Sequence, residues 1–211
     1  MLSILVGDLL GSRGSAVVAA LLASLVWAGC GGKQVSRINP ESVTDLSGRW
    51  NDTDSRLVAR ALIEQSFDDG WADRHAQRNG GERPTVIVGD FRNRTYEHVP
   101  VNTFLNDLER ALINSGRVQV VADREEREGV REEREDQQEH ARADTRAELG
   151  QELGADYILQ GELTAIEDEE GGEKVVYYQA DANLTDLQSN VKVWTGQHRI
   201  KKLIERDRLG F

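Results

Sequence analysis

Apolar residues recur with the period of an α-helix in two stretches of the chain. The first runs from residue 53 to about residue 67 and opens with Asp and Ser side chains that can cap free backbone amides. The second runs from Val101 to Ser115 and is followed by Gly116, a residue suited to helix ends. The pattern predicts two amphipathic helices, each with one face in the core.

Five shorter stretches predict β-strands. Residues 85–90 form a continuous apolar run typical of a buried central strand, and residues 118–121 form the next strand. Because a helix separates these two strands, they should be parallel. Residues 157–166, 174–187 and 191–200 follow, joined by connections of the hairpin type.

The remaining segments are polar. Residues 68–84 predict a loop that carries Trp71, and residues 91–98 predict a second loop. Residues 123–148 interleave Arg with Glu and Asp, which indicates one solvated helix or two short ones. Residues 150–154 would finish a helix there. Its apolar contacts are expected to be Ala147, Leu149 and Leu153.

The predicted element order is α-β-α-β-α-α-β-β-β. It indicates a single α/β domain in which helices pack against one mixed sheet, parallel at the crossover and antiparallel at the hairpins. We expect Trp50 and Trp71, which flank the first helix, to pack in the core or at its edge.

The apolar run at residues 15–28 follows Arg13 and is typical of a secretory signal, being too short for a membrane span of about 20 residues. Residues 26–30, Val-Trp-Ala-Gly-Cys, resemble the lipobox of bacterial lipoproteins, although Trp27 stands where Leu is usual. The resemblance implies cleavage before Cys30 and acylation of that residue. The alternative is an ordinary cleaved signal that leaves a free thiol.

These features divide the chain into three parts: a signal peptide at 1–29, a lipidated N-terminus with a short tether at 30–49, and an α/β domain at 50–211. Gly31 rather than Asp follows the cysteine. The usual sorting rule for such lipoproteins then implies the periplasmic face of the outer membrane, with the acyl chains as the anchor.

The charge of the chain narrows the classes of partner. Its 211 residues carry a net charge of -11, and removal of residues 1–29 takes away one Asp and one Arg and leaves this value unchanged. An acidic surface repels phosphate backbones and anionic headgroups, so we expect no nucleic-acid partner. The chain holds one cysteine, which excludes a disulfide framework within it.

Motifs for catalysis are missing from the sequence. The histidines are scattered, and the chain contains neither a zinc-type spacing, nor GxSxG, nor a phosphate-binding glycine loop. Exposed or capping roles are expected for His75, His98, His140 and His198. We therefore predict a binding protein that is not an enzyme and that uses no metal and no cofactor.

Four blocks of sequence resemble the LpoB family: residues 86–95, 117–122, 152–161 and 183–196. Members are outer-membrane lipoproteins that activate bifunctional penicillin-binding proteins. The resemblance implies a fold similar to the N-terminal domain of TolB and stimulation of peptidoglycan synthesis by direct contact. The tether here is shorter than the long disordered tether of the best-known members. The alternatives are a CsgG-like domain that serves outer-membrane secretion or assembly and, with less support, a periplasmic hydrolase.

The loop after the first strand is the best candidate for the partner contact. Arg92, Arg94, Tyr96 and His98 place cationic and aromatic groups on an otherwise acidic protein, and Arg and Tyr are enriched at interface centres. In the alternative interpretation, Phe91 and Tyr96 cap the core and the arginines pair with nearby acids.

Overall fold

Five strands and four helices make up the described part of the domain. The computed structural model describes residues 35–147 and 152–205. The helices are α1 (Asp52–Asp68), α2 (Trp71–Arg78), α3 (Val101–Ser115) and α4 (Arg124–His140). The strands are β1 (Thr85–Asn93), β2 (Gln119–Val121), β3 (Tyr157–Glu170), β4 (Glu173–Asp186) and β5 (Lys192–Glu205).

The strands form one sheet in the order β2-β1-β3-β4-β5. β1 pairs in parallel with β2 and β3, whereas β3, β4 and β5 are antiparallel. This confirms the predicted mixed sheet and the α/β class. The chain divides into two compact units, residues 1–40 and 41–211. The sheet and all four helices lie in the second, and residues 35–40 form neither helix nor strand.

The core lies between one face of the sheet and the pair α1 and α3. Val58 and Leu62 of α1 and Leu108 of α3 are almost completely buried. Alternate residues of β4 face the helices and form the buried face of the three antiparallel strands. They are Val176, Tyr178, Ala180, Ala182 and Leu184.

The opposite face of β3, β4 and β5 is called the open face below. It carries the alternate side chains of the same strands, and every one of them is exposed or half-buried. Antiparallel sheets commonly keep one face in the core and the other in water. Among the described residues, the chain contains no helix that is long and apolar enough to cross a bilayer.

Three local predictions are wrong. The predicted loop at 68–84 contains α2, because Trp71, Ala72 and His75 bury one side of a short amphipathic helix. β1 continues through Asn93, beyond the predicted loop start, since a register shift after Val88 turns the next apolar residue inward.

The third error concerns the charged segment. α4 is one helix that ends at His140, and residues 152–155 are not helical. Leu153, expected to be an apolar contact of that helix, is 59% exposed and does not belong to the core. The predicted helix end at 150–154 is wrong for its described part, since residues 152–154 are exposed and not helical, and residues 148–151 lie outside the described residues.

Candidate partner-binding site

The four candidate residues occupy the end of β1 and the loop that leads to α3. Arg92, Arg94, Tyr96 and His98 are all exposed, and Tyr96 is 89% exposed. The residues between them alternate inward as half-buried side chains. This alternation presents the candidates to solvent while the backbone stays attached to the domain.

Hydrogen bonds within the loop fix its shape. The side-chain oxygen of Asn93 accepts from the Thr95 amide at 2.9 Å, and its Nδ2 donates to the Glu97 carbonyl at 2.7 Å. The Arg94 amide donates to the Leu163 carbonyl at 2.7 Å, which extends the β1–β3 pairing. An Asx turn of this kind gives a short loop a defined conformation.

Glu97 joins the loop to the core. Its Oε1 accepts from the Tyr178 hydroxyl at 2.7 Å, and its Oε2 accepts from the Trp50 amide at 3.1 Å. Burial raises the pKa of Tyr178 well above its usual range, and the hydrogen bond to Glu97 raises this pKa further. Tyr178 therefore remains a neutral donor. Glu97 holds Tyr96 and His98 at a fixed distance from the sheet.

Gly161 of β3 leaves room for the ring of Phe91, its partner on β1. A Cβ atom at this position would overlap the ring of Phe91 and the carbonyl oxygen of Asp181. Phe91 is 5% exposed and packs edge-on against Phe104 at a centroid distance of 4.7 Å. Phe91 therefore caps the core as the alternative interpretation expects, whereas Tyr96 does not.

The loop distributes the candidates over two sides of the domain. Arg92 pairs across the strands with Glu162 on the open face, and the Nε of Arg94 lies 3.7 Å from a carboxylate oxygen of Glu162. Tyr96 and His98 instead border a cavity of about 470 Å³. The other residues that line this cavity are Ser47, Gly48, Arg49, Glu97, Glu167, Lys174, Val176 and Ile204.

A larger groove of about 750 Å³ crosses the open face beside Arg92. Most of its lining side chains are carboxylates, amides and hydroxyls. They include Asp90, Gln160, Glu162, Asp181, Asn183, Thr195 and Gln197. Arg92 thus adjoins a polar groove, whereas Tyr96 adjoins a separate cavity.

An ion cluster in which Asp54 is buried and Asp45 is exposed lies near the second cavity and is not evident from sequence spacing. The Nζ of Lys202 is 2.6 Å from Asp54, 2.8 Å from Asp45 and 3.0 Å from the Arg49 carbonyl. The hydrogen bond from Lys202 lowers the pKa of Asp45. Burial acts against the charge of Lys202, but its two carboxylate partners raise its pKa overall. The alternation of residues along β5 places Lys202 on the same inward face as Trp194. This alternation is the sequence signal that could have predicted the position of Lys202.

His75 does not have the exposed or capping role expected for it. It is 8% exposed, and its Nδ1 lies 2.9 Å from the Tyr157 hydroxyl. Its Nε2 lies 3.8 Å from a carboxylate oxygen of Asp156. These contacts join α2 to the start of β3, so this histidine is a structural residue of the core. Cys30, the predicted lipid-attachment residue, lies outside the described residues.

The exposed loop between β1 and α3 and nearly all of the mixed sheet and its helices lie in the part of the chain that a protein-family model matches. The model for the peptidoglycan-synthase activator LpoB matches residues 54–200, from the start of α1 into β5. The chain belongs to the LpoB family of peptidoglycan-synthase activators. No curated protein sequence matches the chain.

Solved structures with similarity to the chain include two LpoB proteins and one other lipoprotein. The LpoB C-terminal domain from Salmonella enterica shows 18% identity and a TM-score of 0.35, and the match covers 72% of this chain and 99% of that one. The NMR structure of E. coli LpoB shows 13% identity and a TM-score of 0.36, with 84% of each chain covered. Lipoprotein GNA1162 from Neisseria meningitidis shows 19% identity, a TM-score of 0.34, and coverage of 57% and 83%.

Proposed function

We propose that the protein is a non-enzymatic outer-membrane lipoprotein that binds a bifunctional penicillin-binding protein and stimulates its peptidoglycan synthesis. The observation that carries this proposal is the family match, which spans α1 and nearly all of the sheet. The activator acts by contact, so it needs an exposed, well-positioned surface rather than reactive groups. Arg92, Arg94, Tyr96 and His98 have that exposure, and the Asn93 and Glu97 hydrogen bonds position them.

The proposed membrane anchor is an acylated Cys30 on the periplasmic face of the outer membrane. The lipobox-like sequence before the cysteine supports this proposal. Mass spectrometry of the native protein should find a mature N-terminus at Cys30 that carries acyl chains. An unmodified thiol at that position would contradict the anchoring proposal and would leave the activator role open.

The activator role is tested by reconstitution. Each purified bifunctional penicillin-binding protein of the source organism is assayed for glycan polymerisation and peptide crosslinking, with and without the detergent-solubilised protein. We expect one synthase to be stimulated several-fold. If none is bound or stimulated, the proposal is wrong.

The contact residues are tested in the same assay. The variant Arg94→Ala with Tyr96→Ala should lose most of the stimulation, because both side chains are exposed and interface centres favour these residue types. Arg110→Ala with Ile113→Ala, two exposed positions on α3, is the matched control and should retain it. Equal stimulation by both variants would remove the loop from the contact surface.

A further inference from the structure

The register of the long hairpins arranges the outward side chains of β3, β4 and β5 in rows across the open face. Residues directly opposite each other on antiparallel strands have Cβ atoms about 4.5–5.5 Å apart. Three consecutive rows are relevant. They are Asp168-Val175-Leu203, Ile166-Tyr177-Lys201 and Thr164-Gln179-Arg199.

Four apolar side chains in these rows form a continuous cluster, called the sheet patch: Ile166, Val175, Tyr177 and Leu203. Ile166 is 67% exposed and Leu203 is 59% exposed, and the other two lie half-buried between them. The next row on the open face, Glu162-Asp181-Gln197, is polar, as a solvated sheet face requires. Exposed apolar clusters with a polar rim mark interaction surfaces.

Cationic side chains border the sheet patch. Arg199 and Lys201 follow one another on the outward side of β5. On β1, Asn93 pairs with Leu163, so the next residue, Arg94, lies beside Thr164. The row that begins at Thr164 therefore has Arg94 at one end and Arg199 at the other. The guanidinium of Arg199 donates to Oε1 of Gln197, which is a neutral side chain and leaves the positive charge uncompensated. On a chain with a net charge of -11, this is a local positive band.

Acidic rows lie on both sides of this band. Glu170, Glu173 and Glu205 form the row at the hairpin end, and Glu162 with Asp181 lies on the other side. The acidic rows repel an anionic bilayer laid across the face. A second copy placed with its band opposite this one would bring cations together. The face therefore fits a protein segment with apolar side chains flanked by carboxylates.

We propose that the sheet patch, with Arg94, Arg199 and Lys201, binds an acidic segment of the synthase that carries exposed apolar side chains. This inference rests on the proposed function and deepens it, because it extends the partner surface from the β1–α3 loop across the sheet. Arg94 belongs to both parts. The apolar cluster supplies the desolvated centre, and the cations supply orientation and speed of association.

The test uses the detergent-solubilised full chain and the purified bifunctional penicillin-binding proteins of the source organism. Two variants probe the face: Ile166→Thr with Leu203→Thr, which keeps strand-compatible side chains, and Arg199→Glu with Lys201→Glu. The matched control on α4 is Arg124→Glu with Val130→Thr, both exposed positions. Binding is measured by surface plasmon resonance at low and high salt, and the self-association of each chain is measured by analytical ultracentrifugation.

Each sheet variant should weaken synthase binding about tenfold, and the charge reversal should abolish most of its salt dependence. The control should bind like the wild type. Unchanged binding by the charge-reversal variant, with circular dichroism showing an intact fold, would overturn the inference and leave the proposed function standing. If the wild type binds no synthase, both fail. If the wild type dimerises and the sheet variants do not, the occupant is a second copy and the inference is wrong.

Discussion

α1 and α4 are both 17 residues long and begin in the same way, but they differ completely in burial. In each, the side chain of the N-cap residue, Asn51 or Asp123, accepts from the amide three residues on, and the side chain there accepts in return. Nine residues of α1 are buried, and none of α4 is. The capping box thus sets where a helix begins, while its coupling to the fold depends on which side chains it buries.

The two helices are also held to the domain differently. Asp54, in the first turn of α1, is bound by Lys202 of β5 within the protein. α4 is held from outside by Glu152, which receives both Arg131 and Arg134 at its surface. Burial protects the first contact from water and salt, whereas the second is screened. We therefore expect α1 to unfold with the sheet and α4 to open by itself.

The largest difference should come from an apolar truncation in each helix. Leu62→Ala removes a side chain with no exposed surface and should lower the free energy of unfolding by about 2–5 kcal/mol. Val130→Ala removes a side chain that is 44% exposed and should change it by less than about 0.5 kcal/mol. Urea denaturation followed by tryptophan fluorescence measures both values. Similar losses would show that α4 packs in the core in solution.

The next effect concerns the ion cluster beneath α1. Lys202→Met leaves Asp54 buried without its cation and should cost about 3 kcal/mol. Lys201→Met, one residue away on the open face, is the control and should be nearly neutral. Thermal unfolding compares the two proteins. Equal melting temperatures would mean that water solvates Asp54 and that the cluster contributes little.

A smaller effect is expected from the caps themselves. Asn51→Ala should lower global stability by about 1 kcal/mol, because α1 unfolds together with the core. Asp123→Ala should leave global unfolding unchanged and reduce only the helical circular dichroism signal. A loss of global stability from Asp123→Ala would contradict the independence of α4.

The smallest effect is local and depends on pH. The hydrogen bond from Arg131 lowers the pKa of Glu152. A carboxylate with a lowered pKa contributes above its unfolded pKa and loses that contribution as the pH falls through the folded value. The protection factors of the α4 amides, which correct for the intrinsic pH dependence of exchange, should therefore fall below about pH 4.3, the ordinary value for Glu, while the sheet stays protected. Glu152→Gln should abolish this pH step, and its persistence would assign it to another group.

Periodicity predicted much of the fold because burial follows it. α3 has the predicted limits at Val101 and Ser115, and the three antiparallel strands begin within one residue of their predicted starts. α2 was missed because only Trp71, Ala72 and His75 carry its burial, and three residues are too few to show a helical period. The extension of β1 was missed because its register shift reverses the alternation of inward and outward residues.

The candidate site was predictable only as a set of exposed residues. Alternation along the loop gives the exposure of Arg92, Arg94, Tyr96 and His98. Their separation onto two sides depends on Glu97, whose partners Trp50 and Tyr178 lie far from it in sequence. The sheet patch likewise arises from strand pairing, which brings Ile166 beside Tyr177. Sequence periodicity does not contain such long-range contacts.

The ion cluster at Lys202 has a consequence for how far the domain can travel. Asp45 and the Arg49 carbonyl are hydrogen-bonded to Lys202 near the end of β5, so the stretch of chain from Cys30 to Asp45 limits the reach of the domain. About 15 residues extend at most about 50 Å. With acyl groups on Cys30 as proposed, the domain stays close to the membrane that holds it. A synthase anchored in the opposite membrane would then have to extend across the remaining distance between the two membranes.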